Sequence, residues 1–374
     1  MPHPATPPNP QASAIEWRTE STQKAPQAIV SVQECSADAV LKRAYANTAT
    51  LWQGDFHNAK QVLAAIKKRL RKPAAKAANQ SKHPAEIFHT HRMQQAQQAR
   101  LINMLAVEVQ PGFTLKLPRA PDIHAALLEV YGEENTRPFL LPLNQLLGFI
   151  GAHEWHKKGV DIAALGAHIH VPFGVFSPLR GEYLDLIAQA PLPPNCRTAF
   201  DIGTGSGVIA ALLARRGIPA VTATDTNPRA IACAHANFKR LGLSEKVVLQ
   251  QTDLFPPGKA DLIVCNPPWL PAKPTSAVET ALYDSESAML KGFLNGVAEH
   301  LNESGEAWLI MSDLAEHLGL RGQDELAQII GNAGLQIAGT ICTQPGHNKA
   351  KNQHDPLAFA RSLETTRLYR LTTI

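Results

Sequence analysis

The spacing of hydrophobic positions changes partway along the chain. Between Ser36 and Leu70, Val40, Leu41, Ala44 and Tyr45 are followed by Val62, Leu63, Ile66 and Leu70, the apolar stripe of a 3.6-residue period. Helical runs continue over Phe88–Val107, Ile123–Tyr131 and Leu143–His156, so the part ending near Leu165 reads as mostly α-helical. Beyond it, Ile169–Phe176 is a short extended stretch and Glu182–Ala190 one helix. The cluster Pro191-Leu192-Pro193-Pro194 then stops any regular element. From Thr198 onward, short β-branched runs alternate with helical segments. The predicted strands are Thr198–Ile202, Ala220–Thr224, Val247–Gln251, Asp261–Cys265, Trp308–Met311, Ile337–Cys342 and Leu368–Thr372. Such alternation implies a parallel sheet with helices on both faces.

Composition sharpens this division. Five prolines in the first ten residues mark residues 1–30 as a disordered Pro-rich tail. A helical N-terminal domain over 31–165 and a second domain over 166–374 follow. The stretch Phe139–Ala152 is too short for the ~20 residues that span a bilayer, and the N-terminus lacks a signal peptide's basic and apolar regions. Five scattered cysteines have no CxxC spacing, which suggests reduced thiols rather than a zinc ribbon or disulfide framework. The expectation is a cytoplasmic protein. Net charge is +4, unevenly spread. Residues 1–175 carry 19 Lys and Arg against 13 Asp and Glu, and eight basic residues between Phe56 and Ala85 meet no acid. The centre of that run is Lys67-Lys68-Arg69-Leu70-Arg71-Lys72, which either attracts phosphates or forms a solvated helix end.

The sharpest local signal is Phe200-Asp201-Ile202-Gly203-Thr204-Gly205-Ser206-Gly207. A strand runs into a glycine turn, and a helix follows over Val208–Arg216. Such a turn lets a ligand approach the backbone, and the helix N-terminus offers N–H groups to an anion. The spacing is GxGxG; the dinucleotide fingerprint GxGxxG would need glycine where Val208 stands. Asp201 beside the loop adds an acceptor for an ammonium group. An acid next to anion-binding amides suits a zwitterionic amino acid, which favours S-adenosylmethionine over NAD. Asp225 ends the second strand and can take both hydroxyls of a ribose. Asp253 follows the third strand and can accept from an adenine amino group, with Leu254 and Phe255 beside the ring. Helix caps and turns are the alternative for each acid alone.

The fourth strand ends in Asn266-Pro267-Pro268-Trp269. Two prolines fix the chain and remove two backbone donors, which leaves carbonyls towards a pocket. With the Asn266 side-chain carbonyl they can hold both hydrogens of a planar –NH2 group. That turns the nitrogen lone pair out of conjugation and aims it at a sulfonium methyl. Trp269 offers a flat stacking face.

With these motifs, residues 166–374 resemble a class I S-adenosylmethionine-dependent methyltransferase of the small-domain group with an N/D-P-P-aromatic motif. That group includes release-factor glutamine N5-methyltransferases, ribosomal RNA guanine-N2 methyltransferases and adenine-N6 methyltransferases. Gly174-Val175-Phe176-Ser177-Pro178-Leu179-Arg180-Gly181-Glu182 is similar to the segment before the catalytic domain of the glutamine enzymes. The resemblance implies an α/β fold: a Rossmann-like seven-stranded methyltransferase sheet with a reversed last strand, preceded here by the mostly α-helical domain. It also implies a cofactor site at Asp201, Gly203, Thr204, Gly205, Gly207, Asp225, Asp253, Leu254 and Asn266. The catalytic set is Asn266, Pro267, Pro268 and Trp269.

Metal chemistry finds little support. His153-Glu154-Trp155-His156 has i, i+3 spacing rather than HExxH, and His89-Thr90-His91 and His168-Ile169-His170 have no third ligand in sequence. No metal is expected. The acceptor is a macromolecule, either an RNA base, which the basic run favours slightly, or a protein glutamine. A non-catalytic S-adenosylmethionine-binding module is the alternative of another class, and the intact NPPW turn argues against it.

Overall fold

The computed structural model describes residues 15–71, 83–179, 181–275, 277–344 and 355–374. The chain divides into two compact units, one of residues 1–71 and 98–150 and the other of residues 72–97 and 151–374. Two of the three boundaries fall inside helices, α3 (Pro84–Ile102) and α5 (Leu143–Lys158).

The first unit is α/β, not mostly helical. Its strands are β1 (Glu16–Trp17), β2 (Ala28–Val32), β3 (Thr48–Trp52), β4 (Leu105–Gln110), β5 (Thr114–Leu115) and β6 (Phe139–Pro142). They form one sheet in the order β1-β6-β4-β3-β2, with β5 on β4. Helices α1 (Ala37–Tyr45), α2 (Phe56–Leu70) and α4 (His124–Tyr131) complete it. The expected helix over Ser36–Leu70 is cut in two by Thr48–Trp52, a strand with two β-branched threonines whose last four residues are buried. Ser36 and Asp55 cap the two pieces through bonds of 3.2 and 3.0 Å from Ala39 and Asn58 N–H. Likewise the run Phe88–Val107 ends as helix at Ile102 and resumes as β4. A short apolar run in a buried parallel strand does not alternate, so periodicity alone cannot separate it from helix. The tail reading also fails from Ile15 onward: β1 pairs with β6 and β2 with β3. Residues 1–14 lie outside the described residues.

The second unit carries the predicted Rossmann-like sheet. A small hairpin, β7 (Val160–Ile162) with β8 (Ala167–Ile169), precedes α6 (Glu182–Gln189). Then come β9 (Thr198–Ile202), α7 (Val208–Arg215), β10 (Ala220–Asp225), α8 (Pro228–Leu241), β11 (Val247–Gln251) and β12 (Ala260–Cys265). The chain closes with α9 (Ala288–His300), β13 (Leu301–Ser312), α10 (Leu314–His317), α11 (Glu325–Asn332), β14 (Leu335–Thr343), α12 (Ala358–Arg361) and β15 (Thr366–Thr373). Strand order is β11-β10-β9-β12-β13-β15-β14, and β15 alone runs antiparallel to both neighbours.

Alternate residues of the central strands feed two cores. Ala199, Leu262, Val264, Trp308 and Ile310 pack with α6, α7 and α8, whereas Phe200, Ile202, Ile263, Cys265, Leu309 and Met311 pack with α9 and α11. Phe293 of α9 is fully buried in the second core and stacks on Phe255 at 5.9 Å between ring centroids. Phe293→Ala leaves a cavity there and is expected to cost about 3–5 kcal/mol. A urea titration reads this as a lower midpoint at unchanged slope.

Candidate functional site

Strand β9 lies between β10 on one side and β12 on the other, so the strand order reverses at this point. The connections leaving β9 and β12 therefore run to opposite faces and open a crevice at the strands' carboxyl ends, where open α/β sheets bind ligands. The glycine loop leaves β9 there and the NPPW turn leaves β12. Together with the ends of β10 and β11 they line a cavity of about 730 Å3.

The glycine loop is held from behind by Asp201. Alternation along β9 puts this residue on the Ala199 face, against α7, rather than in the cavity, and it is wholly buried. One carboxylate oxygen accepts from the Thr204 hydroxyl at 2.6 Å and from Ala210 N–H at 3.0 Å. The other is buried with no hydrogen-bond partner among the described residues. Burial pushes the carboxyl up to about 7; the Thr204 and Ala210 bonds oppose that shift and the Asp225 charge adds to it. The sequence reading set this residue against a ligand ammonium; it does not line the cavity, and its bonds serve the glycine loop. Gly207 also sits behind the wall. Its φ is +82°, and a Cβ would stand 2.8 Å from the Phe238 ring, so no larger residue fits between loop and α8. Gly203, Thr204 and Gly205 line the cavity. A Cβ on Gly205 would meet nothing within 4 Å.

Asp225, at the end of β10, lines the cavity. Its carboxylate accepts Gly205 N–H at 3.0 Å on one oxygen and Asn227 N–H at 2.8 Å on the other. An ionised carboxylate has about four acceptor positions, so these bonds orient it and leave capacity for ligand hydroxyls. Asn227 in turn caps α8. Asp253 and Leu254 line the cavity two and three residues beyond β11. Leu254 has φ +56°, uncommon for a leucine. The Thr224 hydroxyl holds it by donating to its carbonyl at 2.6 Å, and Thr224's own carbonyl accepts Thr204 N–H at 2.8 Å. One residue thus ties three strand ends together.

Asn266, Pro267, Pro268 and Trp269 all face the cavity. The Trp269 indole N–H donates to Asn266 Oδ1 at 2.9 Å. Its backbone carbonyl accepts from Arg321 at 3.4 Å, and Arg321 pairs with Glu316 at 3.4 Å. Both side chains of that pair are buried. Glu316 is pushed above the ordinary carboxylate range by burial, against the pull of Arg321.

The sequence assigned no place in the site to several lining residues. Tyr183 and Phe176 reach the cavity from the segment before β9, and burial raises the Tyr183 phenol, helped by the Asp201 and Glu182 charges. Tyr283 and Glu364 come from loops and Arg361 from the end of α12, none of which carries a local signal. Among the histidines, His89 and His91 lie in α3, and His170 is engaged by the His156 carbonyl at 2.7 Å. Among the described residues no three His, Cys, Asp or Glu side chains are grouped as metal ligands. In the same set no helix is long and apolar enough to cross a membrane.

The Asp201 carboxyl has a pH signature. Its folded-state value lies above its unfolded one, so between about pH 4 and 7 the folded chain keeps a proton that the unfolded chain has released. Stability from this group therefore falls as pH rises through that window and then levels off. In urea titrations at pH 5 and pH 7.5, the wild type is expected to lose stability relative to Asp201→Asn, whose side chain does not titrate. Parallel pH profiles for the two would contradict the assignment.

Sequence comparison agrees with this geometry. The model of the methyltransferase small domain matches residues 173–335. A release factor glutamine methyltransferase from Rhodopirellula baltica is 33% identical over 190 residues, 46% of this chain and 62% of that protein. Its counterpart in Cereibacter sphaeroides is 28% identical over 186 residues, covering 46% and 64%. A tRNA1(Val) (adenine(37)-N6)-methyltransferase from Cytophaga hutchinsonii is 30% identical over 133 residues, covering 33% and 56%. The chain thus spans somewhat under two thirds of these relatives. Residues 173–335, which carry the glycine loop, the strand-end acids and the NPPW turn, are thus similar to the methyltransferase small domain.

Proposed function

We propose that the second unit is an S-adenosylmethionine-dependent N-methyltransferase acting on a planar amino or amide nitrogen of a macromolecule. The observation that carries this reading is the shared cavity: Gly203–Gly205, Asp225 and Asp253 line it together with Asn266–Trp269. The residues fit the cofactor. Gly205 faces open space where a side chain would intrude, and Asp225 is oriented by two backbone bonds with acceptor capacity left for a ribose. S-adenosylmethionine supplies an electrophilic methyl group on a sulfonium. The chain's contribution is alignment. Asn266 Oδ1 and the Pro267 carbonyl accept the two hydrogens of the acceptor –NH2 and direct its lone pair into the cavity, with no covalent intermediate on the protein.

The relatives' names specify a release-factor glutamine and a tRNA adenine, and both acceptors present a planar –NH2. The basic run bears on the choice between them. Lys67, Lys68 and Arg69 lie in the last turn of α2, and Lys72 lies outside the described residues. Arg69 forks onto Asp38 with bonds of 2.7 and 3.1 Å, which offsets part of that charge.

Incubation of the protein with methyl-labelled S-adenosylmethionine and cell extract, followed by separate nuclease and protease digestion, tests the reading. Label released by nuclease identifies an RNA base, and label released by protease a glutamine; no transferred label contradicts the activity. Asn266→Ala should leave cofactor affinity nearly intact while raising the barrier by ~3 kcal/mol, in line with the loss of one oriented polar group. Asp225→Ala should weaken S-adenosylhomocysteine binding by roughly 1.5–3 kcal/mol, as read by calorimetry.

A further inference from the structure

An indole is a donor only, so the atom of the Asn266 amide that faces Trp269 Nε1 at 2.9 Å is the carbonyl oxygen. That contact determines which end of the amide points where. The last torsion of an asparagine is soft and roughly two-fold, so without such a bond the oxygen and the –NH2 could exchange places.

The indole itself is not free to follow Asn266. It packs against both hydrophobic cores of the second unit, and its backbone carbonyl is held by Arg321, whose guanidinium is buried against Glu316. The donor is therefore fixed by packing and by a buried ion pair, and the asparagine adjusts to it. The oxygen keeps a second lone pair, because a carbonyl has two. That lone pair is the one a bound –NH2 would use.

We propose that the Trp269 indole N–H is a positioning group that sets Asn266 in the orientation required for transfer, a role separate from stacking by its ring. The inference rests on the N-methyltransferase reading. It has a consequence that stacking alone does not: phenylalanine supplies a flat face but no donor. In Trp269→Phe the acceptor still stacks, whereas the Asn266 oxygen is no longer held.

The test has two arms. The first uses Trp269→Phe, Asn266→Ala and the double variant, with a dilution series of whichever extract fraction the wild type labels. Trp269→Phe is expected to lower the maximal rate about tenfold or more, the scale of a lost oriented group. The half-saturating amount of extract should stay within about threefold. In the Asn266→Ala background the same change should cost less than about twofold, because the two residues act as one unit. A Trp269→Phe enzyme with an unchanged maximal rate and a raised half-saturation would show stacking alone and overturn the proposal.

The second arm needs no acceptor. The Trp269 indole proton, followed by 1H–15N NMR in the cofactor-free protein, should exchange with solvent about tenfold faster in Asn266→Ala. Unchanged exchange would also overturn the proposal. A wild type that labels nothing contradicts the activity and with it any role in transfer, whereas the exchange measurement still reports on the bond.

Discussion

The second unit is organised around one buried carboxylate. Asp201 stands at the end of the central strand and binds the Thr204 hydroxyl and Ala210 N–H with a single oxygen. It thereby fastens the glycine loop to both the strand before it and the helix after it. Charge in such a place is costly, and burial holds the carboxyl near neutrality as a result. In return the loop is tied by these bonds to its flanking elements. Gly205 N–H is then placed to orient Asp225, and Thr224 to hold Thr204 and Leu254. Each contact on the glycine-loop side thus depends on the one before it, and the chain of contacts begins at Asp201.

The NPPW side of the crevice is built on a different support. Two prolines stiffen the turn after β12, and a buried Arg321–Glu316 pair secures its last carbonyl. Replacing such a pair with apolar residues is often neutral for stability or better. Its position behind the NPPW turn therefore points to geometry as its contribution. The two halves meet because β9 and β12 are neighbours in the sheet although they are not consecutive in the chain. Sheet topology alone brings the glycine loop and the NPPW turn, separated by about sixty residues, to one cavity.

What could be read from the sequence follows from how local each feature is. The strands of the second unit are short β-branched runs set off by glycine and proline, so Thr198–Ile202 and Val247–Gln251 match their predicted bounds. The glycine loop and the NPPW turn were legible for the same reason: each is a contiguous motif at a strand end. In the first unit, β3 and β4 are buried apolar strands that directly adjoin helices, and hydrophobic spacing merged them with those helices. The placement of Asp201 follows from alternation with Ala199 once the strand is known. The Trp269–Asn266 bond and the Arg321–Glu316 pair arise only from tertiary packing, which no sequence period records.

We propose that the crevice takes S-adenosylmethionine rather than a dinucleotide. Titration calorimetry of the wild-type chain with S-adenosylhomocysteine and, separately, with NAD tests this most directly. The account predicts saturable one-to-one binding of S-adenosylhomocysteine and none of NAD at the same concentrations. Binding of NAD in preference, or of neither ligand, would contradict it.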